Sequence, residues 1–260
     1  MPSAATPAAR RTGAASRATV DPAVLAALEA GTAEAATLSE TLAMDFARLM
    51  AACFPAVPAE PLRAAAGEGV TRRMALAAAL LAESLGAEAA LEATVAHPSD
   101  CVRGWAAFVV GGRPGLDLTE RLALIRPLAD DGHFGVREWA WLAVRPHLAA
   151  EPERAVALLT PWTAESSENL RRFASEATRP RGVWCAHIGL FKERPESALP
   201  VLEPLKADPS QYVRNSVANW LNDAGKTRPD WLRTLAERWA VESPGRETAA
   251  LLKRACRSLP

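Results

Sequence analysis

The chain has 260 residues, 49% hydrophobic and 23% charged, enough apolar content for a buried core. Alanine and leucine dominate and β-branched residues are scattered, which points to an all-helical protein; with no run of eighteen apolar residues, no membrane span is expected. Net charge is zero, yet residues 1–130 carry 11 basic and 14 acidic side chains while residues 131–260 carry 19 and 16, along with seven of the eight tryptophans.

From the N-terminus, "MPSAATPAARRTGAASRATV" holds Arg10, Arg11 and Arg17, no acid and no apolar stretch. It does not read as a secretory signal. We expect a disordered basic arm over residues 1–20, followed by a single helical domain over residues 21–260. "TLSETLAMDFARLMAACFP" predicts one helix, with Leu38, Leu42, Phe46 and Met50 spaced by four and Thr37 or Ser39 able to cap it. "RRMALAAALLAESLG" predicts another, closed by Gly86. Short connectors rich in turn residues, such as "HPSD", "GGRPGLD", "ADDGH", "AEPE", "ADPS" and "TRPD", separate further helices.

An internal repeat emerges when the helix starts are aligned. Val102-Arg103, Val136-Arg137, Leu170-Arg171 and Val213-Arg214 recur at offsets of 34, 34 and 43 residues. An apolar–arginine pair opening the second helix of a helical hairpin at this period is a HEAT-like signature. It predicts a right-handed, C-shaped α-solenoid whose second helices line a concave face. Two readings of these arginines compete: a basic stripe in that groove, or hydrogen bonds inside each repeat. The set as a whole favours the groove.

In the last of these helices Asp208 can cap, with Pro209 at the first helical position. Val213, Val217, Trp220 and Ala224 share one face, and Ser216, Asn219 and Asp223 form a polar stripe beside it, with Lys226 adjoining. A polar stripe next to a core requires partners. The preceding repeat supplies "NLRRFASEATRPRGVW", four arginines around Glu176. The repeat register brings Glu176, Asn219 and Asp223 to one side, ringed by Arg172, Arg179, Arg181 and Trp184. Arginine neutralises phosphate and tryptophan offers a flat apolar surface to sugar or base, so the combination suits a nucleic-acid site. The four cysteines and four histidines are dispersed, matching neither a metal site nor a disulfide framework. Reduced thiols in a cytoplasmic protein are expected.

"FASEATRPRGVW" followed by "DPSQYVRNSVANWLNDAGKTRPDW" resembles the bacterial DNA alkylation repair glycosylases with HEAT-like repeats, most of all their AlkC branch. The resemblance is close over Phe173–Trp231 and looser back to Val136. It implies removal of cationic alkylpurines, of the 3-methyladenine or 7-methylguanine type, from duplex DNA in base excision repair. Carboxylates matching Glu176 and Asp223 lie in the family's lesion site. A cationic purine already has a weak glycosidic bond, so a carboxylate near C1′ can stabilise the oxocarbenium-like sugar with no metal or organic cofactor. In "AWLAVRPH" Trp141 stands where AlkC relatives carry a further glutamate. This implies a narrower activity, which Trp141→Glu would broaden with the fold intact, and leaves Glu138 as a substitute acid. AlkD-like relatives flank an aspartate with tryptophans, a role open to Trp139 and Trp141. Many AlkC relatives also carry an immunoglobulin-like C-terminal domain, which is not expected here.

The expected enzyme is thus a bacterial, cytoplasmic, monomeric DNA glycosylase, nucleoid-associated when bound. Its partner is double-stranded DNA with alkylated bases. Glu176, Asp223 and Glu138 are the catalytic candidates. Arg103, Arg137, Arg172, Arg179, Arg181, Arg214, Asn219, Lys226, Trp139, Trp141 and Trp184 are the DNA-binding ones. Two rivals stand beside it: a non-catalytic HEAT-like module that binds DNA structures, and a protein-interaction scaffold whose arginines bridge internally.

Overall fold

The computed structural model describes residues 11–259, which form helices and connecting turns with no strand among them. The described residues fall into two compact units, one up to Val109 and one from Val110.

The first unit holds α1 (Pro22–Glu29), α2 (Leu38–Ala43), α3 (Phe46–Cys53), α4 (Glu60–Ala64), α5 (Val70–Leu85), α6 (Ala87–Val95) and most of α7 (Asp100–Gly112). The predicted helix through Leu38–Met50 is interrupted. Met44 is extended, and Asp45 starts a new helix by accepting from the backbone N–H groups of Ala47 and Arg48. A local acceptor at the right spacing outcompetes the continuous apolar period. Thr37 does sit at the first cap position, but its hydroxyl donates to the Ala14 carbonyl instead. Gly86 closes α5 at φ 83°, as expected of the residue type.

Half of the expected disordered arm is anchored here. Arg11 holds both oxygens of Glu40 at 2.6 Å, and the Ala14 and Ala36 N–H groups donate to the same carboxylate. The Arg11 hydrogen bond is the main reason the Glu40 carboxyl is pushed down to about 2. Residues 1–10 of the expected arm, including Arg10, lie outside the described residues.

The second unit contains α8 (Leu118–Ala129), α9 (Phe134–Ala150), α10 (Pro152–Leu159), α11 (Glu168–Ala177), α12 (Gly189–Glu193), α13 (Leu199–Leu202), α14 (Gln211–Gly225), α15 (Pro229–Glu242) and α16 (Arg246–Ala255). α9, α11 and α14 pack side by side as the successive second helices of the repeat. The apolar member of each repeat pair is core: Val102, Val136 and Val213 are fully buried and Leu170 nearly so.

The arginines beside them do one job four times. Nη1 of Arg103 donates to the carbonyls of His97 and Pro98. Arg137 does the same to Asp131 and Gly132, Arg171 to Glu165 and Ser166, and Arg214 to Asp208 and Pro209. Each guanidinium thus reaches back six and five residues and clamps the turn leading into its own helix. Arg103, Arg137 and Arg214, expected to track phosphates, spend these donors on the turn. Buried turn carbonyls need donors, and arginine has five in a fixed fork.

Asp208 is not the cap of α14 either. Ser210 caps it by accepting from the Tyr212 N–H, while the buried Asp208 takes the Ser210 N–H and a two-pronged ion pair from Arg171 at 2.7 and 3.1 Å. No single helix among the described residues is long and apolar enough to cross a membrane.

Candidate functional site

The site is a chain of alternating charges across three neighbouring helices. Glu138 on α9 accepts from Arg172 on α11 at 2.6 Å. Arg172 stands 3.6 Å from Glu176, one helical turn further along α11. Arg179, just past the end of α11, then joins two carboxylates. Its Nη1 lies 2.7 Å from Glu176, and its Nη2 and Nε lie 2.7 and 2.9 Å from one oxygen of Asp223 on α14. Lys226 closes the series on the other Asp223 oxygen at 3.2 Å. Three acids and three bases balance, and Arg181 adds a further positive charge by donating to the Asp223 backbone carbonyl.

Glu176 and Asp223 are almost fully buried, whereas the Glu138 side chain retains 34% exposure. Burial by itself would raise the Glu176 pKa, but the charges of Arg172 and Arg179 and a 2.7 Å hydrogen bond from Ser216 outweigh it. The carboxyl is held below its usual range and stays ionised. Burial works against the charge of Arg172 and Arg179 too, and the adjoining carboxylates reverse it, so both remain firmly protonated. Ser216 is in turn fixed by the Ser175 hydroxyl at 2.8 Å, which gives the predicted polar stripe its partners.

Sequence expectation placed Glu176, Asp223, Arg172, Arg179, Arg181 and Lys226 together, and the structure brings all six together. Asn219 shares their face of α14 but turns its side-chain oxygen to Arg257 near the C-terminus. Trp139 and Trp141 are buried, so neither presents an open ring to a ligand as expected of a DNA-binding surface. The Trp141 indole N–H donates to Glu138 at 2.8 Å and so orients that carboxylate. Trp184 is different. It is half exposed, stacked on Trp139 with centroids 6.4 Å apart and rings 16° from parallel, and held at φ 61°. That left-handed conformation is uncommon for a bulky residue and is maintained only by surrounding structure.

Three residues escaped the sequence reading. Arg145 is 1% exposed and spends its guanidinium on the carbonyls of Ala177, Arg179 and Ala186, shaping the loop that carries Arg179, Arg181 and Trp184. Gly182 lets that loop close on it: a Cβ there would lie 2.1 Å from the Cys185 sulfur and 3.3 Å from Arg145. The repeat offset held the signal, because Arg145-Pro146 and Arg179-Pro180 are 34 residues apart. Tyr212, the only tyrosine, lies between Arg137 and Arg172, with guanidinium-to-ring distances of 5.3 and 4.4 Å, and accepts a hydrogen bond from Arg137.

Comparison with known proteins fits this geometry. Residues 135–259, which carry every member of the charge chain, match the family described as DNA alkylation repair enzyme. This segment, just under half of the chain, is where the protein matches the DNA alkylation repair family. The solved structure of the alkylpurine DNA glycosylase AlkC from Pseudomonas fluorescens, bound to DNA containing an abasic site analog, is similar with a TM-score of 0.64 and 30% identity. That similarity covers 82% of this chain and 60% of AlkC. AlkD2 from Streptococcus mutans is similar with a TM-score of 0.60 and 25% identity, over 74% of this chain and 91% of AlkD2. The uncharacterised protein YhaZ of Bacillus subtilis is 44% identical over 117 residues, which is 45% of this chain. The match takes in only about a third (32%) of YhaZ. The fold is the HEAT-like helical repeat that the Val-Arg spacing predicts.

Proposed function

We propose that the protein is a DNA glycosylase that excises cationic alkylated purines, of the 3-methyladenine or 7-methylguanine type, from duplex DNA. The observation that carries this reading is the convergence of Glu176 and Asp223 on one planar, delocalised cation, Arg179. A positively charged purine and an oxocarbenium-like sugar present the same charge pattern. Similarity to an alkylpurine glycosylase bound to DNA supports the same choice.

In this scheme the C1′–N bond breaks with its electron pair moving to the purine, whose positive charge is thereby neutralised. No acid has to protonate the leaving group. An ionised carboxylate stabilises the electron-poor sugar, water adds to C1′, and one proton is released to solvent. The arginines around Glu176 keep it ionised and give the phosphates a counter-charge. Trp184 offers its outer face to a base or sugar.

The test is the release of free 3-methyladenine or 7-methylguanine from methylated duplex DNA. A second reading, a module that binds DNA structures without cutting, is favoured by Trp141 in place of a family carboxylate and by the saturation of Glu176 by Arg179 and Ser216. Duplex binding with no base released, even with protein in excess, would establish that second reading over the first.

A further inference from the structure

The C-terminal turn carries cations that the charge chain does not use. Lys253 and Arg254 end α16 and Arg257 follows in a 3-10 turn over Cys256–Ser258; all three are exposed. Among the described residues none of the three makes an ion pair. Arg257 is nevertheless held in place. Its Nη2 donates to the Asn219 side-chain oxygen at 3.1 Å and its Nη1 to the Arg254 carbonyl at 2.7 Å. The turn itself is tied down where Asn222 donates to the Ala255 carbonyl at 2.9 Å.

Its position relates it to the site. Asn219 and Asp223 are one turn apart on the same face of α14, roughly 6 Å along the axis. Arg181, also without an ion pair among the described residues, is anchored on the Asp223 carbonyl at 3.2 Å. Two ordered guanidiniums with no carboxylate on them thus flank Asp223, Arg181 from the loop and Arg257 from the C-terminal turn. Burial and the neighbouring Arg254 charge both press the Arg257 pKa down, with Asp223 opposing them and Arg179 adding to them. The corner is short of negative charge.

We infer that Lys253, Arg254 and Arg257 form a phosphate-binding patch that grips the nucleic-acid backbone beside the lesion site, with Asn219 as the residue that aims Arg257. A pre-ordered planar fork with spare donors matches a phosphodiester, and each phosphate neutralised releases counterions. The inference rests on the DNA-binding part of the proposed function and not on excision.

The experiment measures binding of the full chain to an unmodified duplex oligonucleotide between 50 and 200 mM salt. Arg257→Gln should lower the slope of log K against log salt by about one and weaken binding several-fold; Arg254→Gln with Arg257→Gln should lower it by about two. Arg257→Lys keeps the charge and should retain the slope. An unchanged slope in Arg257→Gln overturns the patch. Equal losses in Arg257→Gln and Arg257→Lys also overturn it, because they would make Arg257 a brace for the turn. Failure to release a base, with the slope response intact, removes the glycosylase reading and leaves the patch standing.

Discussion

The two ends of the second helices use the same residue type for opposite purposes. At the starts, Arg137, Arg171 and Arg214 turn back onto carbonyls of their own connectors and hold the repeat together. One residue further along α11, and again just past its end, Arg172 and Arg179 reach across to carboxylates on α9, α11 and α14 and make the site. Arg171 and Arg172 are adjacent in sequence, and 100° of helix rotation sends one into the turn and the other into the charge chain. An arginine count thus says little about phosphate binding until its acceptors are known. Carbonyl acceptors mark the turn clamps, while two buried carboxylates sharing one guanidinium mark the candidate site.

The largest expected effect breaks the site end through its packing. Trp141 is 4% exposed, with its N–H on Glu138. Trp141→Glu removes a buried indole and places a second acid beside Glu138. We expect a loss of about 3–5 kcal/mol, seen as a drop in Tm, in place of the tolerated and broadening change that the sequence suggests. A Tm at the wild-type value would return Trp141 to the list of substrate-facing positions.

Glu176→Gln and Asp223→Asn address the chemistry. Each keeps shape and deletes charge, so excision should fall ten- to a thousandfold, about 1.4–4 kcal/mol, while affinity for duplex DNA survives or rises. Excision of methylated DNA at the wild-type rate by both variants would make the carboxylates structural. Stability should follow pH in step. The folded Glu176 carboxyl lies below its ordinary value, so its contribution is complete above the usual carboxylate pKa of about 4.3 and is lost as pH falls through the folded value. A Glu176→Gln variant whose acid unfolding curve overlays the wild type would remove that linkage.

How much of this was legible follows from what each signal encodes. The repeat was legible because Val102, Val136, Leu170 and Val213 are core at a fixed period, and periodicity reports burial. The meeting of Glu176 with Asp223 was legible for the same reason, since register carries residues to a common face. Acceptors were not. Whether Arg137 faces a phosphate or the Asp131 carbonyl depends on a turn whose path no period describes. The break at Met44 and the transfer of the α14 cap from Asp208 to Ser210 were lost likewise: several polar residues could serve, and tertiary partners such as Arg171 decided.

The repeat end is broken by Arg137→Ala or Arg214→Ala. Each loses a pair of charge-assisted hydrogen bonds to turn carbonyls, so about 1.5–3 kcal/mol of stability should go, with the salt dependence of DNA binding nearly unchanged. A slope that falls by about one per substitution at wild-type Tm would restore the phosphate stripe.

The smallest effect lies where the two ends meet. Tyr212 stands between Arg137, a turn clamp, and Arg172, a member of the charge chain, and its hydroxyl accepts from Arg137 at 3.3 Å. Tyr212→Phe deletes that long hydrogen bond and keeps both rings-on-guanidinium contacts, so about 0.5–1 kcal/mol of stability and little excision should be lost. Tyr212→Leu also removes the two cation–π contacts, each about 0.5–1 kcal/mol. Arg172 then loses the surface that holds it against Glu138 and Glu176, and excision should fall a few-fold, with the Phe variant recovering it. If Phe and Leu lower stability alike and neither alters excision, Tyr212 belongs to the repeat and the boundary between architecture and site runs between it and Arg172. If excision separates the two variants, the ring is the element through which a turn clamp positions the chemistry.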